Sequence, residues 1–201
     1  MSKELIELTL KMDQKELNTQ IAVQCAPLLS GVKISNILIV EKKHRKEIFK
    51  IFSGTRVSVY LLCASKDKVI FLLYHRPQME KLLLQKEARK LLLELKYTSF
   101  RLGYVLREHA ERYERYMKDK EAFPHEMGLL LGYPIEDIRG FMDNDGQNFL
   151  YTGYWKVYEN LSEKLIVFET YHKAKEQIMR MVCNGIGISA ILNLSDCLLE
   201  N

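Results

Sequence analysis

The sequence predicts an α+β (or mixed α/β) fold in a single domain spanning residues 1–201, with a small three- or four-stranded sheet amid many helices. Three observations carry that expectation. Runs of β-branched and aromatic residues of strand length occur only at 34–40, 57–62, 69–74 and 149–158. Between them, apolar residues recur at helical spacing against dense charge. No repeat or low-complexity linker interrupts the chain, and 201 residues suit one hydrophobic core better than two.

The elements follow in order. Residues 3–12 carry Leu5, Ile6, Leu8 and Leu10, a pattern for a short helix, with a strand as the alternative. From 14 to about 29, Leu17, Ile21, Val23 and Leu28 predict a helix that Pro27 disturbs near its end, because proline removes an intrahelical donor. Residues 34–40 read as the first strand. Residues 43–52 form an amphipathic helix with Ile48, Phe49 and Phe52 to one side, stopped by Ser53-Gly54. The runs 57–62 and 69–74, joined by Ala64-Ser65-Lys66-Asp67-Lys68, predict a β-hairpin. Arg76-Pro77 ends its second strand and opens a helix, where proline suits the first position. Seven leucines between 82 and 95 then supply core, as two helices or one bent helix. Residues 100–118 are a charged helix carrying Leu102, Val105, Leu106, Tyr113 and Met117.

The most informative segment begins at Phe123-Pro124-His125-Glu126. Pro124 opens a helix, Gly132 closes it in a left-handed conformation, and Pro134 forbids its continuation. A second short helix starts near Pro134 with Glu136 and Asp137 in its electropositive first turn. The result is a rigid corner holding His125 and Glu126 at a helix start. Asp143-Asn144-Asp145-Gly146 is a turn, 149–158 an aromatic strand and 162–183 a helix, which Gly185 and Gly187 break before a short C-terminal segment.

Charge and cysteines exclude several classes. The formal charge of +4 is mild and its bases are interleaved with acids, so no nucleic-acid signal stands out. No run of about 18 uncharged apolar residues suggests a membrane span, and the charged first fifteen residues do not resemble a signal peptide. A cytoplasmic location is therefore expected, with Cys25, Cys63, Cys183 and Cys197 as reduced thiols. No CxxC pair occurs, and Leu129 stands where a His-Glu-x-x-His zinc motif needs its second histidine, so no metal site is predicted.

Each candidate residue has a functional and a structural reading. His125 and Glu126 either serve a site or cap and pack locally, and their adjacency gives no chelate. Cys25 is a nucleophile if Lys33 or a histidine lowers its pKa, and otherwise a small buried hydrophobe. Arg76, at a strand end, suits a carboxylate or phosphate, or is an ordinary surface residue. Tyr154 and Trp155, with Tyr151 and Tyr158, make either core or a stacking platform for a flat ligand such as a flavin, haem or base.

Three motifs together resemble one family: Cys25-Ala26-Pro27 with Gly31 and Lys33, the segment from Phe123 to Phe141, and Gly153-Tyr154-Trp155-Lys156-Val157-Tyr158. The family comprises proteins of about two hundred residues from anaerobic bacteria, known as a domain of unknown function, and the resemblance covers nearly the whole chain. Tyr74 with Arg76-Pro77 is similar to a further Tyr-Arg-Pro element, with His75 as an insertion or variant. The chain departs at Tyr171-His172-Lys173-Ala174-Lys175, where similar proteins have a Lys-Cys-Thr-like element. The resemblance implies a link to anaerobic redox, iron or cofactor metabolism, and it assigns no catalytic residue and no cofactor. The leading expectation is thus an accessory or ligand-binding protein whose site draws on Cys25, Lys33, Arg76, His125, Glu126, Tyr154 and Trp155, with a small ligand or a redox protein as partner. The alternatives are an enzyme using Cys25 or His125 as nucleophile or general base on a small anionic substrate, and a protein-interaction module.

Overall fold

The computed structural model describes residues 3–199. In chain order its elements are α1 (Lys3–Lys11), α2 (Leu17–Leu29), β1 (Ser35–Glu41), α3 (Arg45–Phe52), β2 (Val57–Ala64), β3 (Lys68–His75), α4 (Arg76–Leu84) and α5 (Lys86–Glu94). They continue with α6 (Leu102–Asp119), α7 (Glu126–Leu130), α8 (Ile135–Asp143), β4 (Tyr151–Thr152), β5 (Lys156–Val157), α9 (Leu161–Cys183) and α10 (Ile188–Leu199). The fold class is α+β, as predicted. The chain forms two compact units, one running to Arg76 and resuming at Glu169, the other Pro77–Phe168. Among the described residues, no helix is long and apolar enough to cross a membrane.

The first unit is built on an antiparallel sheet in the order β1-β3-β2. The predicted hairpin is β2–β3, with Val57 opposite His75 and a register shift between Leu61 and Cys63. β3 lies between its neighbours and is buried at every residue but Lys68. Leu38, Val40, Val57, Val69, Phe71 and Leu73 pack with Ile21, Cys25 and Leu28 of α2, Ile48 and Phe52 of α3, and residues of α9 and α10. Phe49, expected beside Ile48 and Phe52, stays 43% exposed and meets the Phe71 ring edge-on at 5.6 Å. α2 starts three residues later than predicted because Asp13 organises a turn, accepting from Lys15 N–H at its carboxylate and from Glu16 N–H at its carbonyl. The C-terminal carbonyls of α2 are satisfied from outside the helix. His75 Nε2 meets Leu28 O at 3.1 Å and Arg56 Nη2 donates to Leu29 O at 3.1 Å, basic groups placed where the helix dipole favours them.

In the second unit the leucine-rich stretch forms two helices, α4 and α5, separated by the extended Gln85 (φ −65°, ψ 140°). The predicted corner is present. Gly132 has φ +73°, and Tyr133 N–H closes back on Gly128 O at 2.9 Å before Pro134 opens α8. Arg139 of α8 forks onto both carboxylate oxygens of Glu94 at the end of α5, at 2.8 and 3.1 Å. The aromatic run 149–158 is not one strand. It folds on itself as β4 and β5, with Gly153 N–H bonded to Trp155 O at 3.0 Å. The Phe168 ring occupies the space that a side chain on residue 153 would need, so only glycine permits this close approach.

Candidate functional site

A cavity of about 270 Å³ opens in the second unit. Met127, Gly128 and Leu131 of the α7 corner, Ile138 and Phe141 of α8, and Tyr154, Trp155 and Lys156 of the β4–β5 turn contribute to its wall, with His125 at the start of α7. Trp155 is held there by two rings and a carboxylate. Its indole stacks on Tyr133 (centroids 5.1 Å apart, 28° between planes) and meets the edge of Phe168 at 4.5 Å. Its Nε1–H donates to Asp137 Oδ2 at 2.7 Å.

Asp137 is the hub of this wall. It is 2% exposed, and its other oxygen accepts from the backbone N–H groups of Tyr158 at 2.8 Å and Glu159 at 3.3 Å. Three donors and a place in the first turn of α8 compensate the buried carboxylate. The sequence alone marks Asp137 only as a helix-dipole residue. The missed signal was the Trp155 N–H, which needs an acceptor once its ring is buried.

His125 stands between the rings of Phe123 (5.7 Å) and Phe141 (5.9 Å). Burial pushes its imidazole below the usual histidine range, against the opposing pull of Glu126 and Asp145. It is therefore neutral at pH 7. The five-residue α7 is too short to sum much of a macrodipole, so the expected electropositive helix start contributes little here.

Glu126 points into a different environment. It is 1% exposed and its Oε1 accepts from Tyr97 Oη at 2.8 Å and from His109 Nδ1 at 3.0 Å. Burial raises its pKa most strongly of any single influence, yet the His109 and Tyr97 hydrogen bonds together with the His109 charge outweigh it and hold the carboxyl below its usual range. Burial, then Glu126, pushes the Tyr97 phenol up. His109 is fully buried, and its Nε2 has no hydrogen-bond partner among the described residues. Neither Tyr97 nor His109 was singled out from sequence.

The other candidates belong to the first unit. Cys25 has no exposed surface, its Sγ lies 3.7 Å from Ile37 O, and burial, partly offset by Lys33 and Asn36, pushes its thiol up to about 12. A thiol so held stays protonated near neutral pH, which is the opposite of nucleophile activation. Lys33 is 6% exposed and donates to Asn36 Oδ1 at 3.0 Å; burial lowers its pKa to about 8. Arg76 is exposed at the first residue of α4. The predicted residues thus gather in two places, Cys25 with Lys33 in the first unit, and His125 with Tyr154 and Trp155 around the cavity. Cys25, Cys63 and Cys183 are thiols not joined in disulfides, whereas the side chain of Cys197 lies outside the described residues. No group of three or more potential metal-ligating side chains occurs among the described residues.

Fold and site together define an α+β protein with a preformed aromatic pocket. A family model described as a protein of unknown function (DUF3793) matches residues 21–192, and the chain belongs to that family. Nothing among the curated proteins or the solved structures matches it.

Proposed function

We propose that this protein binds a small ligand with a planar ring in the aromatic pocket of its second unit. The observation that carries the reading is the fixation of Trp155 at the cavity wall by Tyr133, Phe168 and Asp137. An aromatic wall held rigid before binding loses little freedom on capture of a flat ring. An apolar cavity of about 150 Å³ holds one benzene. The 270 Å³ here therefore suits one ring or two fused ones. The family resemblance extends the proposal to an accessory role in anaerobic redox, iron or cofactor metabolism, in which the ring belongs to a cofactor or its precursor. The enzyme alternative is favoured at one point only, since a neutral imidazole lining the cavity can accept a proton.

The sequence has a single tryptophan, so Trp155 Nε1–H gives one indole cross-peak in a ¹⁵N-correlated NMR spectrum. Protein purified without oxygen should retain a low-mass aromatic molecule by native mass spectrometry and absorption. Re-adding that molecule to stripped protein should shift the Trp155 cross-peak. Conversion of the molecule on incubation would favour the enzyme reading. No retained molecule, together with an indole signal indifferent to a panel of one- and two-ring compounds, would refute the proposal.

A further inference from the structure

We infer that the ligand of this pocket is an aromatic acid, its ring against the Trp155 wall and its anionic group on Lys156 Nζ, an assignment that rests on the ligand-binding reading above. The inference comes from which polar groups at the cavity still have hydrogen bonds to offer. Asp137 has no donor to offer, and its carboxylate already accepts from Trp155, Tyr158 and Glu159. Glu126 is turned to Tyr97 and His109. Asp145 sits exposed in the turn after α8, where water screens it. Lys156 is different. Its side chain borders the cavity, and its ammonium donates to Gly146 O at 2.6 Å, leaving two of its three N–H donors. It has no carboxylate partner among the described residues, and neither ring nitrogen of His125 is hydrogen-bonded among them.

The same lysine argues against a cationic ligand. Aromatic cages recruit cations to ring faces, but Lys156 Nζ already lies 5.7 Å from the Phe141 centroid and 4.8 Å from that of Phe149. A second cation would meet like charge there. An anion instead gains a charge-assisted hydrogen bond beside low-dielectric aromatic walls, where such bonds are strongest. Half-buried and tethered at Gly146, Lys156 is oriented before the ligand arrives.

The test uses the full chain and a matched set of probes: 2-naphthoate, the uncharged isostere 2-naphthamide, and 2-naphthylmethylammonium, titrated against the Trp155 indole cross-peak. The naphthoate should bind on the order of tenfold more tightly than the amide, the size expected of one charge-assisted hydrogen bond. Lys156→Gln should erase that preference, bringing naphthoate affinity down to that of the amide, and Lys156→Arg should retain it. An unliganded indole cross-peak at its wild-type position verifies that each variant keeps the Trp155 environment. Amide or ammonium binding as tight as naphthoate, or Lys156→Gln weakening both equally, overturns the acid assignment and leaves the planar-ligand reading standing. If none of the probes moves the indole cross-peak, the assignment falls with that reading.

Discussion

In the unit built on the β1-β3-β2 sheet, Cys25, Lys33, Asn36 and His75 turn inward and bind backbone carbonyls or one another. In the 77–168 unit, His125 and Lys156 sit at a cavity with hydrogen-bonding capacity left over. Both units carry the residue types from which sites are made, and the difference lies in where the hydrogen bonds end. A polar group sealed among fixed partners specifies structure, because its desolvation is offset only in that one arrangement. A polar group beside an apolar wall with unused donors is completed by water or by a ligand. By that criterion the conspicuous cysteine and its lysine are held as parts of the fold, and the quieter Lys156 is the residue on which the proposed site draws.

The comparison breaks most readily inside the second unit, since Glu126 is also sealed there. Glu126→Gln replaces an anionic acceptor for Tyr97 and His109 with an amide, and weakening two buried hydrogen bonds to a charged acceptor costs about 3 kcal/mol. Urea denaturation should show a loss of that order. The sign with pH follows, because the folded-state pKa is depressed: the contribution is complete above about pH 4.3, the unfolded value, and disappears as pH falls through the folded one. A loss below 1 kcal/mol would place Glu126 outside the structural group.

Smaller is the effect of Gly132→Ala. At φ +73° a Cβ is strained, and the cost is about 1 kcal/mol or more. The Trp155 wall should survive it, so a variant that melts lower but binds the same ring would separate corner stability from pocket chemistry.

The Cys25–Lys33 pair gives a prediction in pH. Lys33 falls to about 8 in the fold, so between that value and about 10.4 the unfolded chain binds more protons and stability rises with pH. Cys25 rises to about 12, so above about 8.5 the folded chain binds more protons and stability falls. The two trends oppose each other across pH 8.5–10. Lys33→Met should remove only the rising one, leaving a decline relative to wild type of about 1 kcal/mol per pH unit in that window. Parallel profiles for the two proteins would mean that the pair is not buried as the structure has it.

Much of this was legible in the chain because it is local. Gly132-Tyr133-Pro134 announces a left-handed cap and a new helix, and the 57–75 hairpin needs only two apolar runs and a turn. The aromatic run 149–158 misled because strand propensity is local while its veto is not: Phe168 packs where a Gly153 side chain would go. The site was half legible for the same reason. Its rings can be named from sequence, but Asp137 lies 18 residues from Trp155, and Glu126 is drawn to Tyr97 and His109 by folding that no spacing encodes.

The smallest expected change in stability is the one most informative about the site. His125 has no hydrogen-bond partner among the described residues and is only partly buried, between Phe123 and Phe141. His125→Gln keeps bulk and some hydrogen bonding while removing the titration, so the melting temperature at pH 7 should hardly move. At lower pH the variant should gain on wild type. The folded-state pKa lies below the unfolded value of about 6.5, so the unfolded chain takes up the proton first and wild type is destabilised as pH falls through that region. Glutamine has no such proton to take up. Binding should respond differently, because the imidazole lines the cavity with hydrogen-bonding capacity left. Loss of the retained ligand at unchanged stability, followed by the Trp155 cross-peak, assigns His125 to the pocket's chemistry. A variant that melts several degrees lower yet binds fully would return His125 to the architectural group with Glu126 and shift the weight of recognition onto Lys156.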